Sequence, residues 1–233
     1  MRNDTQKKII SVITARKGST RIKNKNLKLF NGKPLIYWSI LVSKKSKYID
    51  KTYVTSDDPK ILKFALKMKC EIVKRGKNLS NNTVMNDAAV VDVLKRHGKN
   101  FHLCVFLQPT SPLRLVKDID NSIEKFFLTK CDSLLSVMKN EHFKFLWRKD
   151  KTNYYSPINY DVKKRPTSQK AESQYQENGS IYLTKVKLFL KYKNRLVGKK
   201  QIYEMPEWQF GETDTKEEFL KLQKTFKKKI NYR

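Results

Sequence analysis

The chain has 233 residues, 39% of them hydrophobic, and its 51 Lys and Arg against 22 Asp and Glu give a formal net charge of +29. This length fits one large domain, or one domain with a smaller appendage, and supplies enough apolar residues for a core. No apolar run approaches the ~20 residues that span a bilayer, and the run that follows residue 8 is too short for a secretory signal, so neither membrane insertion nor export is expected.

Cysteine usage indicates a reducing compartment. Cys70, Cys104 and Cys131 are far apart, form no CxxC pair and lie in or beside apolar stretches. This pattern is typical of buried free thiols. The three histidines show no metal-ligand spacing. We therefore expect a cytoplasmic protein.

The positive charge has two interpretations. One is a surface for nucleic acid or anionic membranes, and the other is the Lys-rich composition that an AT-rich genome encodes. Three features favour the second: the lysines are spread over the whole chain, aromatic residues do not interleave with them, and Arg is rare. We expect no specific nucleic-acid partner, although the charge favours anionic substrates.

Strand and helix patterns alternate along the chain. The apolar run Lys8–Ala15 predicts a strand buried on both faces of a parallel sheet. Further strands are predicted at Leu27–Phe30, Lys51–Thr55, Glu71–Lys74, Phe101–Leu107, Ser133–Met138, Ser180–Leu183 and Gln201–Tyr203. Helices are predicted from Pro34 to Ser46, from a cap at Asp57 to Lys69, over Asp87–His97 with Gly98 ending it, and over Lys117–Thr129, Lys185–Tyr192 and Lys216–Lys229. This order predicts an α/β fold, a doubly wound, mostly parallel Rossmann-like sheet with right-handed crossovers.

The alternation breaks between residues 139 and 176, where the sequence is polar, aromatic and irregular. A structureless loop of that length is uncommon in a compact domain, so we predict an inserted hairpin-rich unit that packs on something. The predicted organisation is an α/β core over 1–138, the insert over 139–176, and completion of the core over 177–233.

The first candidate site segment, Arg16–Asn26, directly follows the first predicted strand, where ligands bind in open α/β sheets. It combines small residues with five cations: Gly18, Ser19 and Thr20 with Arg16, Lys17, Arg21, Lys23 and Lys25. Such a loop suits a triphosphate, although a solvated basic loop is the alternative in so Lys-rich a chain. The spacing matches neither a Walker A loop nor GxGxxG.

Two further segments add polar groups. Gln108–Arg114, QPTSPLR, follows a predicted central strand, and its prolines hold it rigid; an ordinary Pro-rich turn is the alternative. Glu212 and Asp214 are two residues apart, so in extended chain their carboxylates share a face suited to Mg²⁺. Capping of the final helix by Thr213, Asp214 or Thr215 is the alternative there. Together the three segments suggest nucleotidyl transfer on a Mg²⁺-bound triphosphate.

At these residues the chain resembles the cytidylyltransferases that activate sialic, legionaminic and pseudaminic acids, and more remotely the 3-deoxy-manno-octulosonate enzyme. The resemblance spans nearly the whole chain and is carried by the opening loop IISVITARKGSTRIKNKNL and by the blocks Lys33–Leu35, Val54–Asp57, Leu107–Arg114 (LQPTSPLR) and Glu177–Tyr182 (ENGSIY). It implies a nucleotide-diphospho-sugar transferase type of fold. It also implies that the anomeric hydroxyl of a keto-deoxy sugar acid attacks the α-phosphate of CTP, giving CMP-sugar and pyrophosphate, with Mg²⁺ and a homodimer formed through the insert.

The resemblance also assigns roles to individual residues of this chain. Catalysis falls to Arg16, Arg21, Lys25 and Asp214. Nucleotide binding falls to Ala15, Arg16, Gly18, Ser19, Asn26, Arg75 and Asn86. Sugar-acid binding falls to Gln108, Thr110, Ser111, Lys144, Arg165 and Gln169, of which Lys144 and Arg165 belong to the insert. The metal falls to Glu212 and Asp214.

The chain departs from the family pattern at several of these positions. Thr20 stands where the family usually has Lys, Glu212 stands for the first Asp of an Asp-x-Asp pair, and Asn86 stands where Ser is common. A basic residue usual before Gln169 is missing. The alternatives to a nonulosonate enzyme are therefore an octulosonate-type enzyme, a degenerate inactive family member and, least favoured, a basic nucleic-acid-binding protein.

Overall fold

The computed structural model describes residues 7–18, 21–79, 85–167 and 171–230. Its strands are β1 (Ile9–Thr14), β2 (Leu29–Phe30), β3 (Lys33–Pro34), β4 (Lys51–Ser56), β5 (Glu71–Lys74), β6 (Leu103–Leu107), β7 (Ser133–Lys139), β8 (Trp147–Lys149), β9 (Tyr155–Pro157), β10 (Tyr175–Lys185) and β11 (Lys200–Glu204). Its α-helices are α1 (Leu35–Lys45), α2 (Pro59–Lys67), α3 (Asn86–His97), α4 (Val116–Leu128), α5 (Val186–Tyr192) and α6 (Lys216–Lys229). Short 3-10 turns cover Lys25–Leu27, Lys77–Leu79, Val162–Lys164 and Glu207–Gln209.

Seven strands form one sheet in the order β11-β7-β10-β6-β1-β4-β5. All neighbours are parallel except β10, which runs antiparallel to both β6 and β7. The interior strand β1 is buried along its whole length, and its Ile13 pairs with Val54 on one side and Leu107 on the other. The predicted doubly wound, mostly parallel α/β fold is confirmed.

The apolar core has one layer on each face of this sheet, because alternate side chains of a strand point to opposite faces. Ile9 and Ile13 of β1 belong to the layer that includes side chains of α1, α2 and α4. Ile10 and Val12 belong to the layer that includes side chains of α3 and α5. A third cluster packs α6 beside the sheet, where Phe219 and Phe226 contact the ring of Phe30 edge-on.

Most predicted elements are present, and the differences have local causes. The cap of α2 is Asp58 and not Asp57, because the Asp58 carboxylate accepts the backbone N–H of Lys60 at 2.8 Å. The strand predicted at Ser180–Leu183 is the inner half of β10, whose polar first half pairs with the end of β7. Gly98 ends α3 as predicted.

Residues between β7 and β10 form a small unit around the hairpin of β8 and β9. Its aromatic rings pack on one another, with Phe145 meeting both Phe143 and Tyr160 at centroid distances of 4.9 and 5.0 Å. The guanidinium of Arg165 lies over the Phe145 ring at 3.9 Å from its centroid. Within the described part of the chain, no helix has the length and apolar character needed to cross a membrane.

Candidate functional site

A polar cleft of about 260 Å³ opens at the carboxyl ends of β1 and β6. This is the edge at which open α/β sheets bind their ligands. All three candidate segments contribute to its lining, which consists of Thr14, Arg16, Arg21, Ile22, Lys25, Asn26, Asn86, Gln108, Pro109, Thr110, Glu212 and Asp214. The cleft therefore combines cations, amides and two carboxylates.

Backbone and side-chain hydrogen bonds fix the start of the basic segment. The N–H of Ala15 donates to the carbonyl of Thr55 at 3.0 Å, which extends the pairing of β1 with β4 by one residue. The N–H of Lys17 donates to the carboxylate of Asp57 at 2.8 Å. The buried amide of Asn26 donates to the carbonyl of Arg16 at 3.0 Å. Arg16 is thus held between fixed neighbours as it leaves the sheet.

Two cations of this segment converge on Asp214. The ammonium of Lys25 lies 2.9 Å from one carboxylate oxygen, and Arg21 Nη1 lies 2.7 Å from the other. Burial of Asp214 acts to raise its pKa, but the two cations outweigh it and the pKa lies below the ordinary value. Lys25 is 13% exposed and Arg21 is 64% exposed. Lys25 is consequently the more preorganised of the two cations.

The rigid polar segment is fixed from beneath by Arg114, which is 1% exposed. Its guanidinium donates to the carbonyls of Gln108, Ser111 (3.0 Å) and Ser180 (2.5 Å), and to the hydroxyl of Ser39 (3.1 Å). A buried cation that satisfies several carbonyls fixes the path of the backbone between them. The segment therefore presents Gln108, Pro109 and Thr110 to the cleft in a set geometry.

The acidic segment does not follow a strand directly; it comes after β11 and the 3-10 turn Glu207–Gln209. It reaches the cleft because the N–H of Thr213 donates to the carbonyl of Thr110 at 3.0 Å. The cap of α6 is Thr215, whose hydroxyl accepts the N–H of Glu218 at 3.1 Å. Capping and site formation thus coexist in one short stretch.

Glu212 differs from Asp214 in its environment. Burial raises the pKa of Glu212, and the neighbouring charge of Asp214 raises it further. No side chain in the described part of the chain forms a hydrogen bond or ion pair with its carboxylate. A desolvated carboxylate without a paired cation is costly, so a bound cation would stabilise this arrangement.

The donor set fits Mg²⁺. Two carboxylates supply the hard oxygen ligands that this ion prefers, and Mg²⁺ in phosphate-transfer sites takes its other ligands from phosphate and water. Among the residues that the structure describes, no group of three or more His, Cys, Asp and Glu side chains forms a complete metal cage. The pair Glu212 and Asp214 is therefore suited to a metal that arrives with a phosphate ligand.

A second cavity of about 530 Å³ adjoins the cleft, and Glu212 lines both. Its walls are mixed in character, with apolar, aromatic, amide and charged groups from β7, the insert, β10, α6 and the residues before Glu212. They consist of Met138, Lys139, Asn140, Glu141, His142, Lys144, Gln176, Glu207, Trp208, Phe210, Gly211, Glu212, Glu218, Lys221, Leu222 and Thr225. A mixture of apolar and polar groups of this kind is typical of ligand-binding cavities.

Some predicted site residues lie away from the cleft lining. Ala15, Arg75 and Ser111 are buried beneath it, and the Arg75 guanidinium donates to the carbonyl of Thr55 at 3.3 Å. Gly18 also lies outside the lining, Lys144 lines the second cavity, and Arg165 lies in the insert. Ser19, Thr20 and Gln169 fall outside the described residues. The other predicted residues line the cleft.

Sequence reasoning missed several contributors. Asp57 supports the basic segment although it was assigned to capping, and its position directly after β4 was the available signal. The role of Arg114 as an internal anchor has no local signal, because two of its partners, Ser39 and Ser180, are far away in the sequence. The same holds for Trp208 and His142 in the second cavity.

Comparison with known proteins agrees with this geometry. A family profile described as cytidylyltransferase matches residues 10–231. The chain belongs to the cytidylyltransferase family. It is 31% identical over 206 residues to N-acylneuraminate cytidylyltransferase A of Danio rerio, covering 86% of this chain and 46% of that protein. It is 30% identical over 186 residues to post-translational flagellin modification protein B of Campylobacter coli, covering 76% and 77%.

The chain spans about half of the length of several of these relatives, including 52% of an N-acylneuraminate cytidylyltransferase from Streptococcus agalactiae. Among solved structures, a CMP:2-keto-3-deoxy-manno-octonic acid synthetase in complex with CTP matches with a TM-score of 0.73 at 17% identity, covering 96% of this chain and 100% of that one. A 4-diphosphocytidyl-2C-methyl-D-erythritol synthase from Anaerococcus prevotii matches with a TM-score of 0.67 at 13% identity, covering 95% and 97%. At these identities the structural matches establish the shared fold.

Proposed function

We propose that this chain transfers CMP from CTP to the anomeric hydroxyl of a keto-deoxy sugar acid of the sialic, legionaminic or pseudaminic type, releasing pyrophosphate. The observation that carries the proposal is one cleft in which Arg16, Arg21 and Lys25 face the carboxylates Glu212 and Asp214. The family name cytidylyltransferase and the relative named N-acylneuraminate cytidylyltransferase support the choice of CTP and of a sugar acid. Because the anomeric hydroxyl of the sugar acid is the attacking group, the proposed reaction needs no side-chain nucleophile.

The cations of the cleft carry the chemistry in this proposal. Negative charge builds up on the α-phosphate and on the departing pyrophosphate, and preorganised cations stabilise it without reorganisation. Arg16 and Lys25 are positioned for this by hydrogen bonds to Asn26 and Asp214. Asn86, the first residue of α3, and Gln108 offer amide groups to the cytosine and the sugar acid, respectively.

We further propose that the reaction requires Mg²⁺, held by Glu212 and Asp214 together with phosphate oxygens. The ion supplies Lewis-acid stabilisation of the phosphate charge when bound. The chain's own part is to hold two carboxylates at the mouth of the cleft, with Asp214 between Lys25 and Arg21 and Glu212 without a paired cation among the described residues. Replacement of Glu212 by Gln together with Asp214 by Asn should abolish the metal dependence and the activity.

The second cavity is the proposed place for the acceptor. It shares Glu212 with the cleft, so a sugar acid bound there would have its anomeric hydroxyl close to the triphosphate. Lys144 and Lys221 can pair with the substrate carboxylate, and Trp208 offers an apolar surface for its acyl groups. The proposal of an acidic acceptor therefore depends on these lysines, because the lining as a whole also holds four glutamates.

We also propose a homodimer formed through the insert, in the cytoplasm. Large apolar side chains of the insert are exposed, including Trp147 at 50%, Tyr155 at 62% and Ile158 at 53%. Clustered exposed apolar groups of this kind are typical of interfaces. The reducing compartment is supported by three cysteines that are buried and free.

The deciding experiment is a pyrophosphate-release assay with CTP, Mg²⁺ and a panel of nonulosonic and octulosonic acids. We expect release with at least one nonulosonic acid and much less with ATP, GTP or UTP. Release with octulosonic acid alone would favour the octulosonate reaction. Absence of release with every acid would contradict the proposal and favour an inactive family member.

A further inference from the structure

The ENGSIY block has no role in the proposal above, yet it forms an irregularity of β10 at the edge of the site. The pairing of β10 with β7 shifts register between Glu177 and Tyr182. The side-chain amide oxygen of the buried Asn178 stabilises the shift, because it accepts hydrogen bonds from the hydroxyl of Ser136 at 2.6 Å and from the N–H of Ser180 at 3.1 Å. A bulge of this kind redirects the backbone next to a site.

Gly179 lies in this bulge with φ of +66°, a conformation that favours glycine. A Cβ atom placed on Gly179 would lie 2.0 Å from Glu212 Oε1 and 3.2 Å from its Cδ, with Ser111 Oγ at 3.7 Å. The Glu212 carboxylate therefore occupies the space that any side chain at position 179 would need.

A substitution at position 179 would displace the Glu212 side chain more readily than its backbone. The neighbouring N–H of Thr213 is fixed to the carbonyl of Thr110 at 3.0 Å, whereas the carboxylate is the free end of a flexible side chain. Relief of the clash therefore moves the carboxylate away from its position between the cleft and the second cavity. A substitution at position 179 should therefore weaken the binding of the metal ion that the Glu212 carboxylate is proposed to hold.

We propose that Gly179 is a positioning residue for Glu212: the missing side chain at 179 and the longer acidic side chain at 212 form a matched pair that sets where the metal carboxylate lies. The inference rests on the proposed function for the metal itself. It adds that Glu is accommodated at 212 because the ENGSIY bulge presents a glycine there, and that shortening Glu212 to Asp relieves the clash that a side chain at 179 would create.

The test is a double-mutant cycle with Gly179→Ala, Glu212→Asp and the combination. The readout is the affinity for Mn²⁺ in the presence of CTP, followed by the electron paramagnetic resonance signal of free Mn²⁺, which requires no turnover. We expect Gly179→Ala to weaken Mn²⁺ binding about tenfold or more. Glu212→Asp should weaken binding in the Gly179 background and strengthen it in the Gly179→Ala background, a reversal that merely structural damage would not produce.

Gly32→Ala is the matched control, since Gly32 has φ of +79° and nothing within 4 Å of a Cβ placed on it. It should lose a similar amount of stability in thermal unfolding from backbone strain and bind Mn²⁺ like the wild type. If Gly179→Ala does not fold, Gly179→Asn replaces it, because Asn tolerates this backbone and retains the clashing Cβ.

The outcomes separate the two ideas. Additive effects of the two substitutions, or unchanged Mn²⁺ affinity in Gly179→Ala or Gly179→Asn, would overturn the matched pair even if the enzyme transfers CMP. A wild-type chain that binds Mn²⁺ and CTP but makes no CMP-sugar would contradict the proposed reaction. The double-mutant cycle would still test the matched pair, because its readout is Mn²⁺ affinity and not turnover. A wild-type chain that binds no Mn²⁺ in the presence of CTP would overturn both the metal site and the pair.

Discussion

The cleft and the insert are built on opposite principles. The cleft takes its walls from segments that are remote in sequence, joined by hydrogen bonds such as Thr213 to Thr110 and by the buried Arg114. The insert is largely local: β8 pairs with β9, and its rings pack on each other. Its apolar side chains are half exposed, whereas those of the sheet are buried.

This difference teaches where each region's function resides. The described residues of one chain provide the cleft with its cations, its carboxylates and the hydrogen bonds that fix them. The insert has apolar side chains that the described residues of the same chain leave exposed. A partner chain would bury this surface. Changes in the cleft should therefore alter stability or catalysis within one chain, and changes in the insert should alter association.

The largest expected effect concerns the anchor beneath the cleft. Replacing Arg114 with Met keeps much of the side-chain volume but removes the charged donor to the buried carbonyls of Ser111 and Ser180. It leaves the carbonyl of Gln108 with the longer 3.4 Å hydrogen bonds from the Ser39 hydroxyl and the Ser111 N–H. We expect the free energy of unfolding to fall by about 3 kcal/mol or more, measured by urea denaturation. Arg148→Met, an exposed position in the insert, should change it by less than about 0.5 kcal/mol. Equal losses of unfolding free energy in Arg114→Met and Arg148→Met would contradict the proposed difference between the cleft and the insert.

The second prediction concerns catalysis. Lys25 is the less exposed cation of the pair at Asp214 and lines the cleft. Lys25→Met should lower kcat/KM for CTP by about 10²- to 10³-fold, the usual result of removing one preorganised donor from a charged transition state. The control is Lys63→Met on the exposed face of α2, which should keep wild-type kinetics. A loss below tenfold would remove Lys25 from the proposed catalytic set.

The third prediction tests the insert. Trp147→Ser combined with Ile158→Ser removes two exposed apolar side chains of this unit. If the insert forms the homodimer, the dissociation constant measured by analytical ultracentrifugation should rise about 30-fold or more, because central apolar anchors contribute most to interfaces. Leu128→Ser, on α4 and 83% exposed, is the control and should leave association unchanged. Unchanged association in the double variant would contradict an interface through the insert.

The fold was predictable because its signals are local. The run Ile9–Thr14 is mostly apolar and is buried throughout. The final helix is capped by Thr215 and covers Lys216–Lys229, as predicted. β10 was harder, since its first half is polar and its pairing with β7 is broken by a bulge. The alternation rule fails at such a bulge, so only the inner half of the strand had a signal.

The site was predictable in its segments but not in its connections. Position after a strand indicated the loops at Arg16 and Gln108, and the cleft includes both. The contact between Gly179 and Glu212 joins residues far apart in the chain and depends on the left-handed backbone at Gly179. The sequence pattern holds no signal for such a contact, nor for the distances within the ion pairs of Asp214.

The fourth prediction separates hydrogen bonding from charge in the basic segment. Asp57 accepts the N–H of Lys17 at 2.8 Å and so positions the loop that begins at Arg16. Asp57→Ala should raise the dissociation constant for CTP about fivefold to tenfold, corresponding to the loss of one hydrogen bond of about 1 kcal/mol. Asp57→Asn retains an acceptor oxygen and should recover most of the affinity. If Asn and Ala behave alike in calorimetric titration with CTP, the hydrogen bond is not what holds the loop.

The smallest expected effect lies outside both regions. Asp132 directly precedes β7 and so lies at the end of the strand that is opposite the cleft. Its carboxylate pairs with Lys185 at 2.6 Å and accepts the N–H of Lys199. Lys185 and then the Lys199 N–H hold the pKa of Asp132 below its ordinary value of 3.8. A lowered carboxyl pKa stabilises the fold above the unfolded pKa, and this contribution is lost as the pH falls through the folded pKa.

Because the pair is partly exposed, Asp132→Asn should cost about 0.5 kcal/mol at pH 7. The difference from the wild type should shrink as the pH falls below 3.8 in urea denaturation series, while kcat/KM for CTP stays unchanged. A change in kcat/KM for CTP would mean that the environment of Asp132 is coupled to the cleft at the other end of the strands. Catalysis would then depend on residues outside the cleft.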